Sequence, residues 1–316
     1  MDPHRRRRRR LTANQGAGAP LVSVVSAGIT GTLFVTTPLE RDWSELPVDA
    51  LSSVFAKLGA VEILMGTGFV CSSWLHAAGM PELCRSVDMA SHKLVQVLDK
   101  DALHAMAKVA VDRSNGQLEV FAGKRFVNDD LLKYIGERAS SLKRLGLISC
   151  KDVSNEGLAE AITKFPLLDE LELSICSNVH ERYVFETVGK SCPKLTRFRR
   201  NENRVHRYGH SACYKDKEAM GIATMAELRS LHLFGNSMTN AGLTAILDSC
   251  PLLESLDIRH CFNVKMDGTL RAKCAGLKTL RLPDDSIDDY EFQDHLPSWS
   301  LYIIDLVSDD DDDFGN

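Results

Sequence analysis

The 316-residue chain lacks the short motifs that mark the common enzyme classes. It has no Gly-x-x-x-x-Gly-Lys-Ser/Thr phosphate loop, no Gly-x-Gly-x-x-Gly after a strand, no His-Glu-x-x-His and no Gly-x-Ser-x-Gly. Its nine cysteines are odd in number and form no Cys-x-x-Cys pair, which indicates reduced thiols in a nuclear or cytosolic protein. We therefore expect no catalytic residue, no cofactor and a location in the nucleus and/or cytoplasm.

The chain also lacks an apolar run long enough to span a bilayer. Residues Leu21 to Val35 are largely apolar, but the run is short and rich in Ser, Thr and Gly. Because Arg5 to Arg10 precede it, the run imitates the charged and apolar parts of a signal or transit peptide. We favour a disordered leader over residues 1–40, in which the arginine run is either a nuclear import signal or a solvated tail.

The middle of the chain has no excess of positive or negative charge. The net charge of −5 combines six arginines near the start with twelve acidic side chains, and no Lys or Arg, over residues 283–316. Residues 11–282 hold 32 basic and 30 acidic side chains, so this central part is nearly neutral. We therefore expect no nucleic acid and no membrane among the partners, and we predict an acidic disordered tail over residues 284–316.

Residues 41–89 carry the pattern of three short helices. Leu46-Pro47 opens the first, because proline at the first helical position loses no hydrogen bond. Apolar residues then follow the i, i+3, i+4, i+7 spacing of an amphipathic helix, and Gly59 ends it. A second helix is predicted from Ala60 to Met65, and a third apolar run continues to Gly79. The marker positions are Leu46, Pro47, Leu51, Val54, Phe55, Leu58, Val70, Cys71 and Trp74.

The second half repeats the phrase Leu-x-x-Leu-x-Leu-x-x-Cys/Asn. Copies begin at Leu142, Leu168, Leu195, Leu228, Leu253 and Leu277, with spacings of 26, 27, 33, 25 and 24 residues. The copy at 195 is weaker, because Arg200 stands where an aliphatic residue belongs, and Leu118 with Phe121 is a candidate degenerate first repeat. This period predicts an α/β leucine-rich-repeat solenoid over residues 118–283, with about six to seven repeats, parallel strands inside and helices outside.

The N-terminal pattern resembles the F-box. The resemblance rests on the opening Leu46-Pro47, on Val70-Cys71-x-x-Trp74 and on the closing Pro81-x-Leu83, while Cys84 replaces the tryptophan that is usual in the family. The repeats, the phrase from Leu233 to Val264 above all, resemble those of a plant group of F-box/leucine-rich-repeat proteins. Residues 90–117 would then be a helical segment linking the F-box to the repeats.

The resemblance implies the substrate-recognition subunit of an SCF-type cullin-RING ubiquitin ligase. In this interpretation the nine marker positions of residues 41–89 dock on a SKP-family adaptor, some of them serving as internal core. The repeats then bind the protein to be ubiquitinated and degraded, and the chain itself catalyses nothing. The alternative is a leucine-rich-repeat scaffold outside the ubiquitin system, in which the F-box-like helices only cap the first repeat.

Alternate residues of each repeat strand point to the concave face, where a substrate would bind. The candidate contacts are Arg144, Ile148, Glu170, Glu172, Arg197, Arg199, His232, Phe234, Asp257 and Arg259. The basic centre around Arg197 either pairs with carboxylates or a phosphorylated motif of a partner, or is a solvated charged surface. His206, His210 and Cys213 lack a fourth ligand at a recognised spacing, so we predict no metal site.

Overall fold

The computed structural model describes residues 42–202 and 216–292. The helices of this part are α1 Val48–Phe55, α2 Ala60–Met65, α3 Ser72–Ala78, α4 Lys100–Arg113, α5 Asp129–Arg138, α6 Asn155–Ile162, α7 Arg182–Ser191, α8 Lys217–Ile222, α9 Asn240–Ser249 and α10 Gly268–Cys274. The strands are β1 Ser86–Asp88, β2 Val120–Lys124, β3 Arg144–Ile148, β4 Glu170–Ser174, β5 Arg197–Asn201, β6 Ser230–Phe234, β7 Ser255–Asp257 and β8 Thr279–Arg281. Within these ranges no helix is both long and apolar enough to cross a membrane.

The strands form one parallel sheet in chain order, from β1 to β8. The register aligns equivalent repeat positions, so that Leu145, Leu171 and Phe198 lie side by side on successive strands. These three side chains are buried in the main core, which the helices α4 to α10 close on one side of the sheet. The predicted α/β solenoid, with a three-helix segment before the repeats, is confirmed. We call the other side of the sheet the open face; it is the face predicted to be concave.

Helix starts follow local capping chemistry. The hydroxyl of Ser154 accepts a hydrogen bond from the backbone N–H of Gly157 at 2.9 Å, and that of Thr239 accepts one from Ala241 at 3.2 Å. Each bond satisfies a donor at the first turn that has no partner within the helix. Serine and threonine are favoured cap residues, and each of these two lies directly before its helix. Capping by these two residues therefore fixes where α6 and α9 begin.

The repeat cysteines tie one turn of the solenoid to the preceding one. The thiol of Cys176 donates to the carbonyl oxygen of Leu147 at 3.3 Å, and that of Cys261 donates to Leu233 at 3.0 Å. Both side chains are buried, and burial raises the pKa of the Cys261 thiol. A protonated thiol is a weak donor and a small apolar group, which suits a position where the chain leaves the strand.

The repeat that begins at Leu195 has a buried arginine where the other repeats have an aliphatic residue. Arg200 lies on β5 with 2% of its surface exposed, and its guanidinium donates to the carbonyl oxygens of Cys176 at 3.3 Å and Val179 at 2.6 Å. It also pairs with Glu202 at 3.1 Å and Glu218 at 3.2 Å. These bonds satisfy carbonyl groups of the previous repeat. Arg200 is therefore part of the interior and not of the predicted basic surface.

Glu218 should make stability depend on pH. Its burial, followed by the nearby charge of Glu202, raises the pKa of this carboxyl to about 8. Between the unfolded value of about 4.3 and this raised value the folded chain binds more protons than the unfolded chain, so the free energy of unfolding should fall as the pH rises. We expect Glu218→Gln to remove more than about 1 kcal/mol of that fall, measured by urea unfolding between about pH 5 and pH 8.

The matched control is Glu254→Gln. Glu254 is half-buried, and its hydrogen bond from Lys278 lowers the pKa of its carboxyl, so it should not titrate in this window. The control should keep the wild-type slope. If Glu218→Gln also kept that slope, the buried carboxylate would not be the titrating group.

The sheet begins earlier than the sequence indicates. β1 lies inside the range 41–89 assigned to the F-box, and its Val87 pairs with Phe121 of β2. α4 fills much of the range 90–117, predicted as a linking segment, and its Leu103 joins the main core. Both elements therefore belong to the solenoid, which has eight strands where six to seven repeats are predicted. β1 has only three residues, which is too short for the repeat phrase to be recognised in the sequence.

The predicted disorder of the acidic tail is corrected for residues 284–292. Three apolar side chains of this stretch, Ile287, Tyr290 and Phe292, are buried against the open face of the sheet. Their burial offsets the entropy of ordering an otherwise acidic segment. Several predictions lie outside the described residues: the leader over residues 1–40, the triplet His206, His210 and Cys213, and the rest of the tail from residue 293.

Candidate functional site

The three-helix segment, which is α1 to α3 with their connecting turns and the 3-10 turn Trp43–Glu45 before them, has a small core of its own. Leu51 and Phe55 of α1 are buried against Ile63 of α2. The Trp74 ring meets that of Phe55 edge to face with 5.2 Å between centroids, and its indole N–H donates to the carbonyl oxygen of Trp43 at 3.1 Å. Such an aromatic pair adds about 0.5–1.5 kcal/mol beyond the area that it buries. These contacts hold the short helices together.

Of the four apolar positions predicted for the first helix, two side chains are buried and two are exposed. Leu51 and Phe55 are 1% and 0% exposed, whereas Val54 and Leu58 are 52% and 41% exposed. Residues four apart share one side of a helix, so the two pairs form adjacent stripes, and only one stripe faces the core. Leu51 and Phe55 are therefore the predicted positions that serve as internal core, and their side chains are not available to an adaptor. Among the other predicted positions Pro47 and Val70 are exposed, and Leu46, Cys71 and Trp74 are half-buried.

Seven large apolar side chains are exposed on the three-helix segment, and we call them the apolar face. They are Trp43, Val54, Leu58, Met65, Phe69, Val70 and Leu75. In the described residues only five other large apolar side chains are as exposed, and they are spread over residues 97 to 252. Phe69 is 84% exposed, the highest value of the set. Such a concentration of exposed apolar groups is typical of an interaction surface.

Four members of the apolar face are not among the positions that the sequence predicts. Trp43 and Phe69 lie in single 3-10 turns and Met65 lies at the end of α2, where a helical period gives no signal, whereas Leu75 lies within α3. Gly68 contributes to their arrangement, because a Cβ atom there would come within 3.1 Å of Leu75 Cδ1. Only the packing of α3 against α1 and against the turn at residues 67–69 reveals that these side chains stay exposed.

Helix α2 joins the three-helix segment to the solenoid. Its Ala60 and Val61 are buried in the main core, while its Ile63 is buried in the small core. The ring of His92 lies 3.0 Å from a carboxylate oxygen of Glu62 across the same junction. The segment therefore caps the first strand while its apolar face stays uncovered. Cys84, at the family's tryptophan position, is fully buried.

The charges of the open face are paired across neighbouring strands. Arg197 of β5 reaches the carboxylates of Asp169 at 2.8 Å and Glu170 at 3.1 Å, and Arg144 lies 3.5 Å from the same Glu170. Opposite charges at directly paired positions stabilise a sheet by about 0.2–1 kcal/mol each. The predicted basic centre is thus largely neutralised within the sheet at Arg197. Arg144 and Arg197 keep much of their side-chain surface in solvent.

A second charged row lies nearer the C-terminal strands. His232 Nδ1 lies 3.2 Å from Asp257, which also accepts hydrogen bonds from Arg259 at 2.7 and 3.1 Å. Burial opposes the ionised form of Asp257, but the hydrogen bonds from His232 and Arg259 outweigh it and hold the pKa of this carboxyl well below its usual range. Glu172 lies 4.0 Å from Arg199, and burial raises the pKa of its carboxyl.

The C-terminal strap, residues 284–292, lies across this part of the open face. The ring of Tyr290 stacks on that of Phe234 with 3.7 Å between centroids, and Glu291 pairs with Arg199 at 2.6 Å. Phe234 and Arg259 are consequently 0% and 4% exposed. The prediction that these two residues are accessible to a substrate is corrected, because the strap covers them. Ile148 is half-buried for the same reason.

A cavity of about 350 Å³ lies between the sheet and the strap. Its walls come from the open face and from four consecutive strap residues, Asp289 to Phe292. The sheet side also includes Arg281 of β8. Six of the predicted contact residues line it: Glu170, Arg197, Arg199, His232, Asp257 and Arg259. The strap, and not the arc of the solenoid alone, encloses this space.

Curated plant proteins are similar to this chain over most of its length. It is 41% identical over 250 residues to putative F-box/LRR-repeat protein 23 of Arabidopsis thaliana, a match that covers 78% of this chain and 55% of that protein. It is 40% identical over 277 residues to F-box protein SKIP19 of the same plant, covering 86% of this chain and 87% of the relative. The chain thus spans about half of the first relative and most of the second. No protein-family model matches it.

Two solved structures show a weaker likeness. The yeast Rad7 and Elc1 complex has a chain that is 19% identical, with a TM-score of 0.39, matching 66% of this chain and 48% of that one. The leucine-rich-repeat-containing protein LegL7 from Legionella pneumophila is 18% identical, also with a TM-score of 0.39, matching 56% of this chain and 57% of that one. At these values neither structure informs what this chain binds.

Proposed function

The chain belongs to the plant F-box/leucine-rich-repeat family, and from this premise we propose that it is the substrate-recognition subunit of an SCF-type cullin-RING ubiquitin ligase. In this proposal the three-helix segment docks on a SKP-family adaptor. The solenoid binds the protein to be ubiquitinated and degraded, in the nucleus and/or cytoplasm. In this proposal the chain carries no catalytic step of its own and connects the adaptor to the target.

The apolar face is the observation that carries the proposal. Phe69 and Val70 are 84% and 59% exposed beside Leu75, which is 54% exposed. Exposed aliphatic and aromatic groups cost free energy in water, at about 25 cal/mol for each Å² that could be buried instead. A standard interface buries about 1,600 Å², and its centre is typically aromatic and aliphatic, as this face is. An adaptor that covers the face would recover that free energy.

The second candidate function is a scaffold outside the ubiquitin system. One observation favours it: Ala60 and Val61 of α2 pack into the main core, so that the three-helix segment also closes the exposed end of the sheet. A cap alone, however, would not require seven exposed apolar side chains on its outer surface. The two functions differ in whether an adaptor occupies the apolar face.

Reconstitution with a purified SKP-family adaptor tests the proposal. We expect the full chain to co-elute with the adaptor in a one-to-one complex on size-exclusion chromatography, because the apolar face is preformed and uncovered. The complex should assemble further with a cullin and a RING protein. The combined variant Leu46→Ala and Pro47→Ala should retain less adaptor, since these residues set the entry into α1.

The scaffold function would be favoured by the opposite outcome. A wild-type chain that stays folded and elutes alone at micromolar concentrations of both proteins would contradict the ligase proposal. Equal retention of adaptor by the wild type and by the Leu46→Ala, Pro47→Ala variant would mean that contact is made elsewhere.

A further inference from the structure

The C-terminal strap has the composition of a ligand for the surface that it covers. Residues 284–292 read Asp-Asp-Ser-Ile-Asp-Asp-Tyr-Glu-Phe, with five carboxylates, two aromatic rings and no basic side chain. The surface beneath it offers three arginines and an aromatic ring. Arginine and aromatic side chains are the groups that most often dominate binding energy at protein interfaces.

The apolar contact is centred on Phe234. Tyr290 stacks on its ring with an interplanar angle of 9°, and His260 stacks on the same ring with 4.7 Å between centroids. Ile287 and Phe292 are buried around this stack, and Ile148 packs against it from β3. Phe234 therefore sits in an aromatic and aliphatic pocket whose upper wall is supplied entirely by the strap.

The polar contacts surround this pocket. Glu291 binds Arg199 at 2.6 Å, and Asp289 binds Arg281 at 3.2 Å and also pairs with Arg259. Arg259 donates a further hydrogen bond to the carbonyl oxygen of Ser286 at 2.9 Å. Removal of the strap would leave Arg199 and Arg281 without these carboxylate partners and would uncover Phe234. An incoming segment with the same chemistry would restore every one of these contacts.

We propose that the open face recognises an acidic, aromatic-containing segment of the target protein, and that residues 284–292 are a tethered stand-in that this segment displaces. This inference rests on the proposed function, because it names the class of substrate that the solenoid takes. Charge complementarity selects the acidic segment: the covered surface presents Arg199, Arg259 and Arg281. The ring pocket over Phe234 selects the aromatic residue.

Because the strap belongs to the same chain as the open face, a target segment must compete with it. A short intramolecular connection gives the strap an effective local concentration in the millimolar range, so a free segment of equal intrinsic affinity binds more weakly. Only a target with better contacts, or one presented at high local concentration, displaces the strap. Weakening the strap should therefore strengthen binding of a peptide supplied in solution.

The test uses the full chain and a fluorescent synthetic peptide with the sequence of residues 284–292. We expect the strap variant Tyr290→Ala with Glu291→Gln to bind this peptide at least about tenfold more tightly than the wild type, a change of about 1.4 kcal/mol, in fluorescence anisotropy titrations. The matched control is Asp284→Asn, because Asp284 is an exposed strap carboxylate with no ion pair to the open face. The control should bind the peptide as weakly as the wild type does.

Two further arms identify the surface and the chemistry. In the strap variant, Arg199→Gln with Arg281→Gln should reverse the gain, because these arginines would receive the peptide carboxylates. A peptide whose acidic residues are replaced by Asn, and one with Tyr replaced by Ala, should each bind several-fold more weakly than the original. Equal binding of all three peptides, or no gain in the strap variant, would overturn the inference.

Unfolding and adaptor binding are measured on the same proteins. If Tyr290→Ala lowers the unfolding temperature substantially, Glu291→Gln alone is used, since its side chain is 60% exposed; it should still bind the peptide about twofold to fivefold more tightly. No gain in this folded variant would also count against the inference. Retention of the adaptor without peptide binding defeats this inference alone, whereas peptide binding without adaptor defeats only the ligase proposal.

Discussion

Replacement of Phe69 and Val70 by aspartate is expected to lower the affinity for a SKP-family adaptor by at least about 100-fold. Truncation of one well-buried interface residue commonly costs about 2 kcal/mol or more, and tenfold in affinity is about 1.4 kcal/mol. Aspartate adds the cost of desolvating a charge that has no partner. Because both side chains are exposed in the free chain, the substitutions should leave its fold intact. Binding is measured by isothermal titration calorimetry or surface plasmon resonance.

The matched control for the apolar face is Val97→Asp. Val97 is 79% exposed, so the control introduces the same aspartate at an exposed valine outside the three-helix segment. It should bind the adaptor like the wild type. Unchanged adaptor affinity in the Phe69→Asp, Val70→Asp variant would place the contact away from the apolar face. Unfolding temperatures within a few degrees of the wild type would establish that any loss is local.

Replacement of Arg200 by leucine is expected to lower the free energy of unfolding by about 3–5 kcal/mol, the usual cost of removing one partner from a buried ion pair. Leucine is the residue type that the repeat places at this position, so the repeat pattern alone would predict stabilisation. The structure predicts the reverse, because the nearly buried carboxylate of Glu202 would lose its arginine and Glu218 would lose a hydrogen-bond donor. Carbonyl groups of Cys176 and Val179 would also lose a donor.

Two companion variants make this prediction specific. Arg197→Leu on the same strand removes an arginine whose side chain is 44% exposed, and it should cost no more than about 1 kcal/mol. Addition of Glu202→Gln to Arg200→Leu should restore at least about 1 kcal/mol, since a neutral amide is cheaper to bury than a carboxylate. Urea unfolding at neutral pH gives all three values. An Arg200→Leu chain as stable as the wild type would contradict the role assigned to the cluster.

The strap changes how the predicted substrate surface is understood. The ten predicted contact residues do lie on or beside the open face, and the alternation of the strands places them there. Phe234 and Arg259, however, are already engaged by the chain itself. The accessible part of the predicted surface, around Arg144 and Arg197, is held in cross-strand ion pairs. Binding at the covered part would require the strap to leave, whereas binding at Arg144 would not.

The order of the helices and strands could be predicted, because the sequence patterns that specify them are local. A leucine phrase of nine residues specifies a strand with one buried side, and its recurrence specifies that strands stack in chain order. Caps such as Ser154 and Thr239 lie next to the helices that they begin. The Leu46-Pro47 start and the apolar spacing after it likewise identify the first short helix. Each of these signals can be read within about one turn or strand of the residue concerned.

The exposure of individual side chains was not predictable in this way. The spacing of Leu51, Val54, Phe55 and Leu58 reports that one side of α1 is apolar, but not which part of that side a neighbouring helix covers. Only the packing of α3 on α1 divides the four positions. Arg200 gives a similar case: the sequence marks it as a break in the repeat, and only its buried carboxylate partners make it a structural residue.

The sequence by itself determined the kind of solenoid, the three helices before it and the family to which both belong, because periodicity and capping act between near neighbours. The tertiary structure alone decided which apolar side chains form the uncovered face and where the acidic strap lies. Glu291 and Arg199 are 92 residues apart in the chain, yet their charged groups meet at 2.6 Å. Such a contact has no local pattern, since it depends on the accumulated geometry of the intervening repeats.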